Sequence, residues 1–369
     1  MSTILRSLRP LWAAALLALA GAAQAADPGV FDDRLVIGGP VTTKGTGNAH
    51  FTVAGDRGIA LAAPVRTPGG WQGYTGDVTL ATNASLTAGG AITFGAAVDG
   101  RRNLVLDAAG SVAFVGAVGA TNPLTGLTIS RAAAVAFADG LALDGTGTAA
   151  GTNGLTIGRG VNNVVFSSLG SGQRTIQDFS GTGIRFLGGS TESVLTGIVS
   201  RRNGTGLAVG AGNYTGTRVQ DNTFDGNLRR GVSLHNATGF LLGGTGANTG
   251  NRIINSTAWK AYSTGIEARG NSAGTLVQGN TIAGNAGHGV VLVSARGITV
   301  GGSTPGGGNA IRDNLGFGLV ATGVSGRLLV QGNTMIGNRM GTMNAKAAKG
   351  PRVIMDASAD ATHDARRSS

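Results

Sequence analysis

Short apolar–polar–apolar triplets punctuate the chain: Val78-Thr79-Leu80, Ile92-Thr93-Phe94, Leu104-Val105-Leu106 and Leu127-Thr128-Ile129. Period-two alternation over so few residues, closed on either side by Gly, Asn or Thr, predicts short half-buried strands separated by tight turns. The pattern Gly90-Ala-Ile-Thr-Phe94 returns as Gly110-Ser-Val-Ala-Phe114 (114 − 94 = 20), and Val135-Ala136-Phe137 follows at a similar step (137 − 114 = 23). Strands this short cannot make a wide antiparallel sheet. They can stack in register on the next turn of a solenoid, where each unit buries its apolar face only against its neighbours.

Downstream the repeat lengthens. Residues 219–253 match 277–311 without a gap, and Val330-Gln-Gly-Asn-Thr334 opens a third copy, at intervals of 277 − 219 = 58 and 330 − 277 = 53 residues. Each long unit holds three apolar runs, as in Gly231–Leu234, Gly239–Leu242 and Gly265–Ala268, which predicts three coils of 58/3, or about 19 residues. The fold expected is all-β, a single-stranded parallel β-helix of about 16 coils over residues 27–345, on the order of 75 Å long at a coil spacing of ~4.8 Å. Asn222, Asn280 and Asn333 occupy one phase of the repeat and Asn227, Asn285 and Asn338 another. Asn tolerates a left-handed corner and stacked amides can bond along the axis, so both sets read as internal ladders. Gly243-Gly244 and Gly301-Gly302, with Asn251 and Asn309 seven residues beyond, read as a turn and its closing corner.

Composition narrows the class. Sixty-seven glycines, 13% charged residues and no cysteine exclude a helical domain and a disulfide scaffold. Arg6 and Arg9, the apolar run Leu11–Ala20 and Ala23-Gln24-Ala25 have the form of a secretory signal peptide over residues 1–25. No later segment has the ~18 uninterrupted apolar residues of a membrane helix, so no transmembrane segment is expected in the mature chain. The expected organisation continues with an N-terminal cap and first coils over 26–75, short coils over 76–186 and long-repeat coils over 187–345. Residues 346–369 are read as a cap strand at Val353–Met355 followed by a disordered tail. Removing Arg6 and Arg9 takes the formal charge from +11 to +9. The arginines are scattered, which favours weak attraction to polyanions such as acidic glycans rather than specific nucleic-acid binding.

Residues 76–130, through Gly76-Asp77-Val78-Thr79-Leu80, Gly90–Gly100 and Leu104–Val112, resemble the repeats of filamentous-haemagglutinin-type bacterial adhesins. Residues 187–340 resemble right-handed β-helix repeats of bacterial secreted and surface proteins, through Leu242-Gly-Gly-Thr245, Val300-Gly-Gly-Ser303, Gly250-Asn251, Gly308-Asn309 and the Val-Gln-x-Asn-Thr lines. The resemblance implies a right-handed coil, shared by adhesins, passenger domains, lyases and hydrolases. The signal-like segment 1–25 implies export to the periplasm, the cell surface or the medium.

Two kinds of chemistry compete. Gly287-His288-Gly289 resembles an element of polygalacturonase-type pectin hydrolases, which need grouped carboxylates beside it. Here Asn222-Thr223 is followed by Phe224 and Asn280-Thr281 by Ile282, so His288 reads as a variable turn position. The best lyase-like grouping is Asp221, Asp225, Arg229, Arg230 and His235, with calcium as cofactor only under that reading. The binding alternative rests on aromatics. The five-residue length difference between long units falls between Ile253 and Gly265 and holds Trp259, Lys260 and Tyr262, and Trp71 and Tyr74 repeat the same spacing. Insertions leave a solenoid as loops, and an exposed aromatic ring beside a cation suits a sugar face or an acidic glycan. The function expected is a non-catalytic adhesive or structural module that binds glycan, with no metal and no catalytic residues. The alternative is a lyase acting on acidic polysaccharide.

Overall fold

The computed structural model describes residues 35–43, 50–55, 57–166, 172–257, 263–323, 328–346 and 353–355. The signal-like segment 1–25 and the expected tail over 356–369 lie outside the described residues. Among the described residues the regular elements are strands, and neighbouring strands pair in parallel. The chain visits three faces in turn. Face 1 carries four strands from Leu35–Ile37 to Val98–Asp99, then eight from Leu141–Asp144 to Thr334–Ile336. Face 2 carries thirteen, from Val41–Thr42 to Met343–Lys346, and face 3 thirteen, from Phe51–Val53 to Val353–Met355. Between its two blocks face 1 narrows to isolated bridges, Val118 to Val98 and Leu141, and Leu124 to Leu143.

Among the described residues, thirteen rungs stand where sixteen coils were expected. Phe224, Ile253, Ile282 and Ile311 are register partners on successive strands at one constant step (253 − 224 = 29, as are 282 − 253 and 311 − 282). The 58-residue unit is therefore two coils, not three. Its apolar runs are faces: Arg230–His235 lies on face 2 and Leu241–Gly243 on face 3 of one coil, while Thr264–Asn271 returns to face 2 one coil later. At ~4.8 Å per rung the stack extends about 58 Å.

Alternation puts one row of each strand inside. Val112 and Phe114 are buried and Ala113 between them is not. In the first coils the inward row of face 3 is a column of rings: Tyr74, Phe94, Phe114, Phe137 and Phe166 lie nearly parallel, with centroids 5.1, 5.0, 4.9 and 4.4 Å apart. Each such pair contributes about 0.5–1.5 kcal/mol beyond area burial. The Arg174 guanidinium ends the column, 5.9 Å from the Phe166 centroid.

Buried amides take over in the later coils. Asn222, Asn251, Asn280, Asn309 and Asn333 form one file. The backbone N–H of Asn251 donates to Asn280 Oδ1 at 3.0 Å, the Asn251 Nδ2 to the same oxygen at 2.9 Å, and the Nδ2 also to the Val219 carbonyl at 2.8 Å. Asn280 repeats these bonds to Asn309 and Leu242, and Asn309 to Asn333 and Val277. Asn251 and Asn309, read from sequence as closing a separate turn, thus belong to the file of Asn222 and Asn280. A second file runs Asn203, Asn227, position 256, Asn285, Asn314, Asn338. Position 256 is one full coil step from each neighbour (256 − 227 = 285 − 256 = 29), yet it is a serine. Ser256 is 1% exposed and its hydroxyl has no hydrogen-bond partner among the described residues.

His288 is another structural contact. Its Nδ1 accepts the Phe317 N–H at 2.9 Å and its ring stacks on Phe317 at 5.9 Å. Burial lowers its basicity below the ordinary 6.5.

Asn280→Leu strands the N–H of Asn251 and the carbonyl of Leu242 and is expected to cost about 3 kcal/mol, far more than His288→Ala. Denaturant midpoints check this, and equal losses would contradict the ladder's role. Ser256→Asn, restoring the missing rung, is expected to stabilise by about 1 kcal/mol in the same assay. Well above 6.5 the His288 imidazole is neutral in both states. As pH falls from there, the unfolded chain takes up a proton that the folded chain refuses until its own lower pKa, so stability drops through that window. Between about pH 7 and about pH 5 the wild type should lose stability that His288→Gln keeps, and parallel pH profiles would contradict this.

Candidate functional site

Outward rows on two faces carry most of the chemistry. On face 1, Asp144, Gln177, Arg201 and Asp225 occupy one register position on successive strands. Arg201 Nε donates to Gln177 Oε1 at 2.9 Å, and Gln177 Nε2 reaches Asp144 Oδ2 at 3.4 Å. The other Asp144 oxygen accepts the Thr146 N–H at 2.8 Å. Burial pushes the Asp144 carboxyl up, but the bonds from Thr146 and Gln177 and the charge of Arg101 outweigh it and hold it below its ordinary value. Asp225 Oδ1 accepts from Asn255 at 2.9 Å. On the adjoining corner Arg202 grips Asp178 through two bonds of 2.8 and 2.6 Å.

A recess of about 300 Å³ opens beside this row, where face 1 thins to Val118. Ala142 and Thr175 line it, with Ala120 and Pro123 contributing from the loop that replaces the strand and Asp144 and Arg201 from the polar row. Asp99 Oδ1 holds that loop by accepting from the Thr121 and Asn122 N–H groups, both at 3.0 Å. The sequence reading missed this site because Asp144 and Gln177 are 33 residues apart and Gln177 and Arg201 are 24, so variable loops hide the shared register. The equal step from Arg201 to Asp225 (225 − 201 = 24) was the available signal.

On face 2, Glu267 faces outward yet is only 6% exposed. Arg269 binds it through Nε and Nη2 at 2.8 and 3.0 Å, and Arg230 through Nη2 at 3.1 Å. Burial raises the Glu267 carboxyl, but the two guanidinium groups together pull it below its ordinary value. The sequence did not reveal this clasp, since Arg230 and Glu267 are 37 residues apart.

The five lyase candidates do not converge. Asp225, Arg229 and Arg230 share the corner between faces 1 and 2, with Arg230 turned to Glu267. Asp221 sits at the opposite end of its face 1 strand, in a left-handed turn with φ 54°. His235 ends the strand that Arg230 begins, five residues or about 16 Å away, and contacts Asn236 at 3.2 Å. Among the described residues no group of three or more His, Asp or Glu side chains is placed to hold a metal ion.

The aromatic candidates divide. Trp259, Lys260 and Tyr262 lie outside the described residues. Trp71 is half-buried on the outer surface, stacked on His50 at 4.8 Å, with its ring over Gly73, where a Cβ would come within 2.8 Å of it. Tyr74 is a core residue instead of a surface partner. It is 1% exposed, its hydroxyl donates to Gln72 Oε1 at 3.0 Å, and burial pushes its phenol well above the ordinary range. Strand parity is the reason: Tyr74 stands in register with Phe94, inside the ring column.

No helix among the described residues is long and apolar enough to cross a membrane. Comparison with curated proteins gave no match, nor did comparison with solved structures. A family model described as "Right handed beta helix region" matches residues 139–304 and again 236–357, together more than half of the 369 residues. With its parallel strands stacked on three faces, the chain belongs to the right-handed β-helix family.

Proposed function

We propose that this chain is an exported, non-catalytic β-helix module that binds acidic glycan on its arginine-bearing outer surface. The observation that carries this reading is that the outward-facing carboxylates of Asp144 and Glu267 are engaged by fixed partners, Thr146 and Gln177 for one and Arg269 and Arg230 for the other. Asp144 and Glu267 are both held below their ordinary values by partners. Glycoside hydrolysis needs a carboxyl raised so that it keeps a proton to donate, and these two are tuned the other way. Arg230, one of the lyase candidates, is committed to Glu267. The excess of arginine supports attraction to polyanions, and the signal-like start supports export. The insertion sets Lys260 between Trp259 and Tyr262 in the sequence, so stacking and cationic groups adjoin along the chain in this reading.

A lyase is the second reading, favoured by the corner that Asp225 shares with Arg229 and Arg230. One assay separates the two. The purified mature chain is incubated with polygalacturonate, alginate and heparin, with and without calcium, following the ultraviolet absorbance of unsaturated uronates and retention on the same immobilised glycans. Binding predicts retention that weakens with salt, is reduced by Trp259→Ala, and comes without absorbance growth. Absorbance growth lost in Arg229→Ala would establish the lyase instead, and absence of retention on all three would reject the binding reading.

A further inference from the structure

The recess on face 1 has a different character from the arginine-rich surface. It exists because one coil gives up its face 1 strand, keeping only the bridges of Val118 and Leu124 while Ala120–Pro123 loop outward. The loop is fixed by Asp99, and the strands on the other side, Leu141–Asp144 and Arg174–Gln177, are paired over four residues. The cavity is thus built into the scaffold, and its ~300 Å³ is at the low end of small-ligand sites.

Its polar groups are not all used. An ionised carboxylate offers about four acceptor sites. Asp144 accepts from both the N–H and the side chain of Thr146 and, over a long bond, from Gln177, which leaves about one acceptor site for a ligand. Arg201 spends its Nε on Gln177, and its two Nη groups donate to no protein group among the described residues. The three side chains hold one another, so acceptor and donor are positioned before any ligand arrives, which lowers the ordering cost of binding. The charges offset: the charged residues that line the recess are Asp144 and Arg201, one of each sign. Neither an anion nor a cation gains from such a field, whereas a neutral molecule that both donates and accepts does. The small floor of Ala142, with the Thr175 hydroxyl beside it, leaves room for a flat C–H face.

We propose that this recess binds one ring of a neutral saccharide, with vicinal hydroxyls donating to Asp144 and accepting from Arg201. The site is separate from the acidic-glycan surface in place and in charge.

Saturation-transfer NMR and calorimetry with maltotriose, cellotriose, mannotriose and β-1,4-galactotriose test it on the full mature chain. At least one is expected to bind with Kd on the order of 1 mM, as suits a single-ring site. Asp144→Asn should weaken that binding about tenfold or more, the worth of ~1.4 kcal/mol. Ala142→Leu, which fills the floor, should abolish it. Both side chains face outward, so thermal midpoints should stay near the parent value, and if one variant does not fold the other still decides. Retention on polygalacturonate should be unchanged in both, so failure here and failure of the acidic-glycan reading are distinct results. Absence of binding by all four at tens of millimolar, or binding that survives the folded Ala142→Leu variant, would overturn the proposal.

Discussion

Register along the coil axis is the constraint on which everything else in this protein depends. A single coil of a solenoid has no core of its own, so each inward side chain must meet an equivalent one at the same height on the coils above and below. The chain satisfies this in two ways. In the early coils the equivalent residue is a ring, and Tyr74 through Phe166 stack face to face. In the later coils it is an amide that must also satisfy the backbone at a turn, and the asparagine files do both at once. Arg174 stands where the rings end, capping Phe166 and donating to the Thr196 carbonyl.

Because register is held inside, chain length is free outside. Loops lengthen or shorten without disturbing the rungs, which is why the step from Phe94 to Phe114 (114 − 94 = 20) is shorter than that from Phe137 to Phe166 (166 − 137 = 29). The same freedom lets one coil drop its face 1 strand and open a recess between paired strands. Outward rows inherit the order of the inward ones. Asp144, Gln177 and Arg201 are aligned because Leu143, Ile176 and Ser200 beside them are register partners. Function in such a scaffold is a matter of which side chains the outward rows carry. Here they carry Asp144, Gln177 and Arg201 on face 1 and the Arg230–Glu267–Arg269 clasp on face 2.

The sequence displayed this architecture unevenly. Period-two triplets and the gapless 219–253 repeat were enough for a parallel β-helix and for Asn222, Asn280 and Asn333 in one phase. They were not enough for the coil count, since the long unit is a pair of equal coils whose halves differ in loops: Asn251 and Asn309 follow a Gly-Gly turn, Asn222 and Asn280 do not. Tyr74 was readable in hindsight, as it precedes Phe94 by the same step that separates Phe94 from Phe114 (94 − 74 = 114 − 94). The face 1 row was not, because intervals of 33 and 24 residues look unrelated until the strands align them. Parity and register survive in sequence, whereas outward proximity across coils does not.

The central claim is that buried asparagine files lock the later coils together. Residue-resolved native-state hydrogen exchange of backbone amides tests it most directly. The amides of Asn251, Asn280 and Asn309, each donating to the next amide oxygen, should be among the slowest to exchange, with a local minimum of protection at Asn227 opposite Ser256. Exchange of the three asparagine amides as fast as that of an exposed turn amide such as Gly147 would contradict the account.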